Sequence, residues 1–94
     1  MSDFRFVVVS WDTNGRERDR EKFVEALNKA NDWIEFRENT WLVWTKQSSK
    51  TWYNRLKPHI GDRDNVFVVA ADISDRGGWM PRAFWDFVRS KSST

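Results

Sequence analysis

The chain has 94 residues, of which 39% are hydrophobic and 16% aromatic, with seven Trp, seven Phe and one Tyr. That is enough for one core and too few for two, and too apolar for a disordered chain. Cys is absent and His59 is the only histidine, which excludes disulfides, thiolate metal sites, Cys nucleophiles and His-pair sites. Sixteen Lys and Arg against fourteen Asp and Glu leave a net charge of +2, so there is no polybasic tail. No apolar run approaches the ~18 residues of a bilayer span and the first residues are no signal segment, so a soluble, cytoplasmic protein with no membrane partner is expected.

Phe4 to Trp11 (FRFVVVSW) is short, β-branched and aromatic, with apolar residues at both parities, the pattern of a strand buried on two faces. Asp12 ends it, and Thr13, Asn14 and Gly15 are turn formers. Phe23, Ala26, Leu27 and Ala30 then recur at the spacing of one helix face, predicting a helix over 18–30 with Asp19 as its cap. Trp33 to Arg37 and Thr40 to Thr45 are two strands joined by Glu38-Asn39, a hairpin. Ser48 and Ser49 offer caps to a second helix with Trp52, Leu56 and Ile60 on one face, irregular near Lys57 because Pro58 follows. Val66 to Ile73 (VFVVAADI) is a further strand. After Gly77-Gly78, Pro81 suits the start of a helix through about Arg89, with Phe84, Trp85 and Val88 on its apolar face, before the polar tail of residues 90–94.

The order βαββαβ plus a terminal helix predicts an α+β domain over residues 1–94, a ferredoxin-like sandwich with strand order 4-1-3-2 and an added C-terminal helix. Two helices cover one face of such a sheet, while its strands are apolar on both. Either the terminal helix or a second copy of the chain must cover the other face, and a homodimer through the open sheet face is the favoured expectation.

With the first and third strands taken as parallel neighbours, Asp12, Thr45, Lys46, Asp62 and Asp64 converge on one rim, with Arg16, Arg18 and Arg20 just beyond. Carboxylates there suit Mg²⁺, which takes hard oxygen ligands, and a metal can polarise a phosphodiester while arginines hold its backbone. A symmetric dimer needs only one carboxylate per chain, and Asp12 is the candidate catalytic and metal-binding residue. Arg16, Arg18, Arg20, Trp11 and Lys46 are the candidate nucleic-acid contacts.

Each has a plainer reading. An Asp at a strand end commonly bonds the following turn, Gly61 to Asn65 has the composition of a solvated turn, and the arginines alternate with Glu17, Asp19 and Glu21. His59 beside Pro58 suits capping or packing. Most of the tryptophans match strand and helix faces and belong to core or interface. Trp11, at the rim beside Asp12, is the exception expected to offer a base-stacking surface. Gly77-Gly78 lacks the Lys-Ser/Thr of a phosphate loop and is a turn.

From Asn39 onward, the residues Asn39-Thr40-Trp41-Leu42-Val43-Trp44-Thr45, Leu56-Lys57-Pro58-His59-Ile60 with Asp64, and Gly78-Trp79-Met80-Pro81 with Trp85 and Phe87 resemble a group of small bacterial and phage proteins labelled the SinR family. That group is similar to the second CRISPR-associated protein and to VapD-type toxins. The resemblance implies a ferredoxin-like dimer, in some relatives a metal-dependent nuclease whose bridging metal is held by an Asp closing the first strand, the position of Asp12. The ending here is Trp11-Asp12-Thr13, and Arg37-Glu38-Asn39-Thr40 replaces the polar residues that follow the second strand in the nucleases.

Two functions follow as expectations. One is a small dimeric nucleic-acid-associated protein acting on RNA or DNA, with Mg²⁺-dependent endonuclease activity centred on Asp12. The alternative is a non-enzymatic protein-interaction module, a toxin-antitoxin or phage-defence component that docks through its aromatic surface.

Overall fold

A computed structural model describes residues 3–14 and 20–92. The expected cap Asp19 and the arginines at 16 and 18 lie outside the described residues. The chain runs β1 (Arg5–Asp12), α1 (Arg20–Leu27), β2 (Asp32–Arg37), β3 (Thr40–Thr45), α2 (Ser49–Leu56), a 3-10 turn (Lys57–His59), β4 (Asn65–Ala71) and α3 (Arg82–Ser92). It is an α+β architecture with one four-stranded antiparallel sheet in the order β2-β3-β1-β4. Read from the other edge, this is the order 4-1-3-2.

The register corrects one expectation. β1 and β3 are antiparallel, pairing Arg5 with Thr45 and Ser10 with Thr40. Asp12, which pairs with Asn65, is therefore at one end of the sheet, and Thr45 and Lys46 are at the other. Two strands separated by one helix and a hairpin arm reverse direction an odd number of times, so the supposed convergence of Asp12 with Lys46 does not form.

Alternation along the strands sorts the apolar residues into two layers. Val7, Val9 and Trp11 of β1 and Trp41 and Val43 of β3 face α1 and α2, where they bury Phe23, Ala26, Leu27, Trp52 and Leu56. Trp52 Nε1 donates to Thr45 Oγ1 at 3.0 Å inside this layer. Among the described residues, the indole Nε1 of Trp41 is buried without an acceptor. Ser48 caps α2 by accepting from Thr51 N at 3.1 Å. The helix gives way to the 3-10 turn where Pro58 forbids an ordinary last turn.

The opposite face is covered by α3. Val88 is fully buried against Phe6 and Leu42, with Ile34, Phe36, Trp44, Phe84 and Phe87 packed around them. This is the terminal-helix solution, and α3 runs to Ser92, three residues past the end read from the sequence. Lys91 Nζ bonds Asp32 Oδ2 at 2.7 Å and pins the end of α3 to the start of β2. The cover is incomplete toward β4, where Phe67 is 65% exposed and Val69 38%.

Candidate nucleic-acid interface

Asp12, the candidate metal ligand, is exposed at the end of β1. Its Oδ1 accepts from Asn14 N at 2.8 Å, a turn in which Asn14 takes the left-handed φ of 57° that Asn tolerates. The side chain thus performs the local task common at strand ends. Asp64 is half-buried and accepts from Trp11 Nε1 at 3.1 Å and from Gly61 N at 2.8 Å. It belongs to the packing of the rim, not to a solvated turn. Among the described residues, no group of three His, Asp or Glu is placed to hold a metal ion. Among the described residues of the rim, with Asp12 bonded to its turn and Asp64 to Trp11 and Gly61, the donor set that a hard cation such as Mg²⁺ requires is not assembled.

The nucleic-acid candidates also separate. Trp11 is only 3% exposed; its ring is stacked on Phe23 with centroids 4.2 Å apart and planes 8° from parallel. A ring with a face against Phe23 and its N–H on Asp64 offers no platform to a base, which corrects the expectation for this residue. Arg20 is committed internally. One guanidinium nitrogen lies 2.9 Å from both carboxylate oxygens of Glu35, Nε donates to Asn39 Oδ1 at 2.9 Å, and the group sits 5.7 Å from the Trp41 ring. It fastens the start of α1 to the β2–β3 hairpin, whose turn residue Asn39 has a φ of 54°. Lys46, at the far end of the sheet, lies over the Phe4 ring at 5.0 Å.

No family model, curated protein or solved structure matches this chain.

Two features offer chemistry that sequence reasoning missed. The first is Trp79, which is 99% exposed while the other six indoles are buried or half-buried. It sits in Arg76-Gly77-Gly78-Trp79-Met80-Pro81-Arg82, between β4 and α3. Gly78 has a φ of 157° and lies 3.8 Å, at the position a Cβ would take, from the Trp85 ring. The segment is held down at Arg76, whose guanidinium donates to Ile73 O at 3.0 Å, and the Arg82 side chain is 91% exposed. Beside it, Phe36, Ile73, Met80, Phe84 and Trp85 line an apolar pocket of about 220 Å³. An absence of periodicity was the only signal: Trp79 lies on no strand or helix face, so nothing in the pattern assigned it to the core.

The second feature lies on the opposite side of the sheet, between α1 and the end of α2. A cleft of about 270 Å³ is lined by Lys22, Glu25, Ala26, Lys29, Arg55 and His59. Helical spacing puts Lys22, Glu25 and Ala26 on one face of α1, and Lys29 follows in the turn after Leu27. Arg55 is held with its guanidinium 5.0 Å over the Trp52 ring.

Proposed function

We propose that this chain is a nucleic-acid-binding domain of the ferredoxin-like class that engages single-stranded RNA or DNA by stacking a base on Trp79, with Arg76 and Arg82 at the backbone. The observation that carries this is the full exposure of Trp79 between two arginines. An indole left wholly in water on a domain with two apolar layers gains from a planar partner, and stacking on an aromatic is worth about 1–3 kcal/mol per base. Binding is favoured over cleavage because, among the described residues of the rim, Asp12 is engaged in its own turn and Asp64 in packing against Trp11 and Gly61.

The test is quenching of tryptophan fluorescence on titration with a ten-nucleotide oligo(dT) or oligo(rU) at several salt concentrations. Trp79→Ala should weaken binding roughly 5- to 150-fold, the equivalent of one stacked base. Unchanged affinity for Trp79→Ala, or binding that does not weaken as salt rises, would sink the reading. Endonuclease activity with Mg²⁺ is assayed alongside, comparing the wild type with Asp12→Asn; cleavage by the wild type that Asp12→Asn abolishes would restore the catalytic role of Asp12.

The apolar pocket beside Trp79 favours a second reading, a protein-interaction module in which Trp79 is the anchor and the pocket accepts a side chain from the partner. Association of that kind responds little to salt, which separates it from the first. A homodimer is also proposed, placed on the strip that α3 leaves open. β4 is an edge strand without a charged residue from Asn65 to Ala71 and presents Phe67 and Val69, whereas β2, the other edge, carries Asp32, Glu35, Arg37 and a bulge. Charges and bulges are what protect an edge from pairing, and β4 has neither.

A further inference from the structure

The cleft between α1 and α2 contains Lys22 and Lys29 from the α1 side and Arg55 and His59 from the other, with Glu25 as its one carboxylate. Among the described residues, Arg20, Arg82, Arg89 and Lys91 each have an acidic partner, while Arg37, Lys46 and Lys50 are exposed cations without one, scattered over the surface. Among the described residues, Lys22, Lys29 and Arg55 have none, although Glu25 shares the cleft. Three cationic side chains thus surround one concavity whose described lining holds a single carboxylate. Arg55 is preorganised, since its guanidinium lies against Trp52, an indole with no exposed surface. Ala26 gives the cleft a small floor, leaving room between the long side chains.

The geometry points to this cleft as a phosphate-binding site, in which Lys22, Lys29 and Arg55 hold the oxygens of a phosphate group and Glu25 faces the rest of the ligand. Arginine and lysine complement each other here: a fixed planar fork on one wall, two flexible point charges on the other. The volume of about 270 Å³ exceeds what one phosphate fills, so the ligand carries more than the anion. The cleft lies on the α1–α2 side of the sheet and Trp79 precedes α3 on the other, so the two are separate sites. This inference stands without the nucleic-acid reading and draws on it only for one source of the phosphate, a polynucleotide backbone; the other source is a small phosphate ester or polyphosphate.

The experiment is titration of the ¹⁵N-labelled full chain with inorganic pyrophosphate in one arm and a ten-nucleotide oligo(dT) in the other, followed by the amide shifts of residues 22–29 and 55–59. Shifts there with pyrophosphate alone identify a small phosphate ligand, with the oligonucleotide alone a backbone site, and with both a site for the phosphate group itself; each supports the assignment. Lys22→Ala/Lys29→Ala, at two exposed positions, should weaken the effective ligand at least tenfold. Against the oligonucleotide it should also lower the salt slope by about 1.4, two contacts at ~0.7 each. Glu25→Gln should tighten binding. No shift in these residues with either probe, or a lysine double variant that binds as the wild type does, overturns the site. Trp79→Ala serves as the cross-check: if it abolishes oligonucleotide quenching while pyrophosphate still shifts the cleft, the two conclusions are seen to stand apart.

Discussion

The indole N–H of Trp11, at the end of β1, donates at 3.1 Å to the Asp64 carboxylate in the loop that leads into β4. The same Asp64 oxygen accepts from Gly61 N at 2.8 Å, so one side chain closes the loop and orients a ring stacked on Phe23. Removing it leaves a buried indole N–H with no acceptor, at a cost of about 1–3 kcal/mol. Asp64→Ala should therefore lower the urea midpoint by that equivalent, whereas Asp62→Ala, on an exposed neighbour, should stay within about 0.5 kcal/mol of wild type. In a Trp11→Phe background the Asp64→Ala penalty should shrink, because the donor is gone; an undiminished penalty would mean that Asp64 acts through Gly61 alone.

This contact shows where reading the sequence succeeded and where it stopped. The elements, their order and the sheet order were legible because Phe6 to Trp11, Trp41 to Thr45 and the Phe23–Leu27 and Trp52–Leu56 spacings carry strong periodic patterns. The terminal helix was legible from Pro81, Phe84 and Val88, but not its role, since Phe6, Leu42 and Ile34 show only that something covers them. The site was poorly legible for two reasons. Strand direction decides which loops meet, and with β1 and β3 antiparallel Asp12 and Lys46 fall at opposite ends. Side-chain commitment is a tertiary matter as well: Trp11 and Arg20 are spent on Asp64, Phe23, Glu35 and Asn39, partners up to 53 residues away.

Asp32 and Lys91 make the attachment of α3 dependent on pH. The hydrogen bond from the Lys91 ammonium, opposed by burial and aided by the Trp33 N–H and the charge of Lys91, holds the Asp32 carboxyl below its ordinary value of 3.8. A depressed folded-state pKa contributes stability that is complete above about pH 4 and is lost as pH falls through the folded value. Thermal midpoints recorded from pH 5 downward should decline more steeply for wild type than for Asp32→Asn. At neutral pH the partly exposed pair is worth at most about 1 kcal/mol, so Lys91→Met should cost no more than that. Parallel declines for wild type and Asp32→Asn would show that the ion pair does not hold α3.

Val88 of α3 has no exposed surface, and it meets Phe6 and Leu42 at the centre of the second layer. A carboxylate there has no partner, so Val88→Asp should release the helix or unfold the domain, whereas Val88→Ala should cost about 1–3 kcal/mol. Binding of a hydrophobic dye reads the difference. A released α3 bares Phe6, Ile34, Phe36 and Trp44, so Val88→Asp should bind dye strongly and Val88→Ala should resemble wild type. Weak dye binding by a folded Val88→Asp would mean that α3 is not what keeps this face dry.

Pairing through β4 can be separated from every other mode of association. If two β4 edges meet antiparallel about a twofold axis, the result is one eight-stranded sheet with Phe67 and Val69 of each copy beside those of the other. Sedimentation at micromolar concentration should then give twice the 11.3 kDa monomer mass. Phe67→Lys, at a side chain 65% exposed in the monomer, should return the chain to monomer without lowering its urea midpoint at low concentration. Tyr53→Lys, on the exposed side of α2, should leave the dimer intact. The same geometry bears on Asp12, which lies at the Asn65 end of β4. An antiparallel edge pairing sends the two Asp12 side chains to opposite ends of the joined strands, so they cannot share a cation. A dimer that survives Phe67→Lys but fails when Asp12 is changed would reverse this assignment and bring the carboxylates back to the axis.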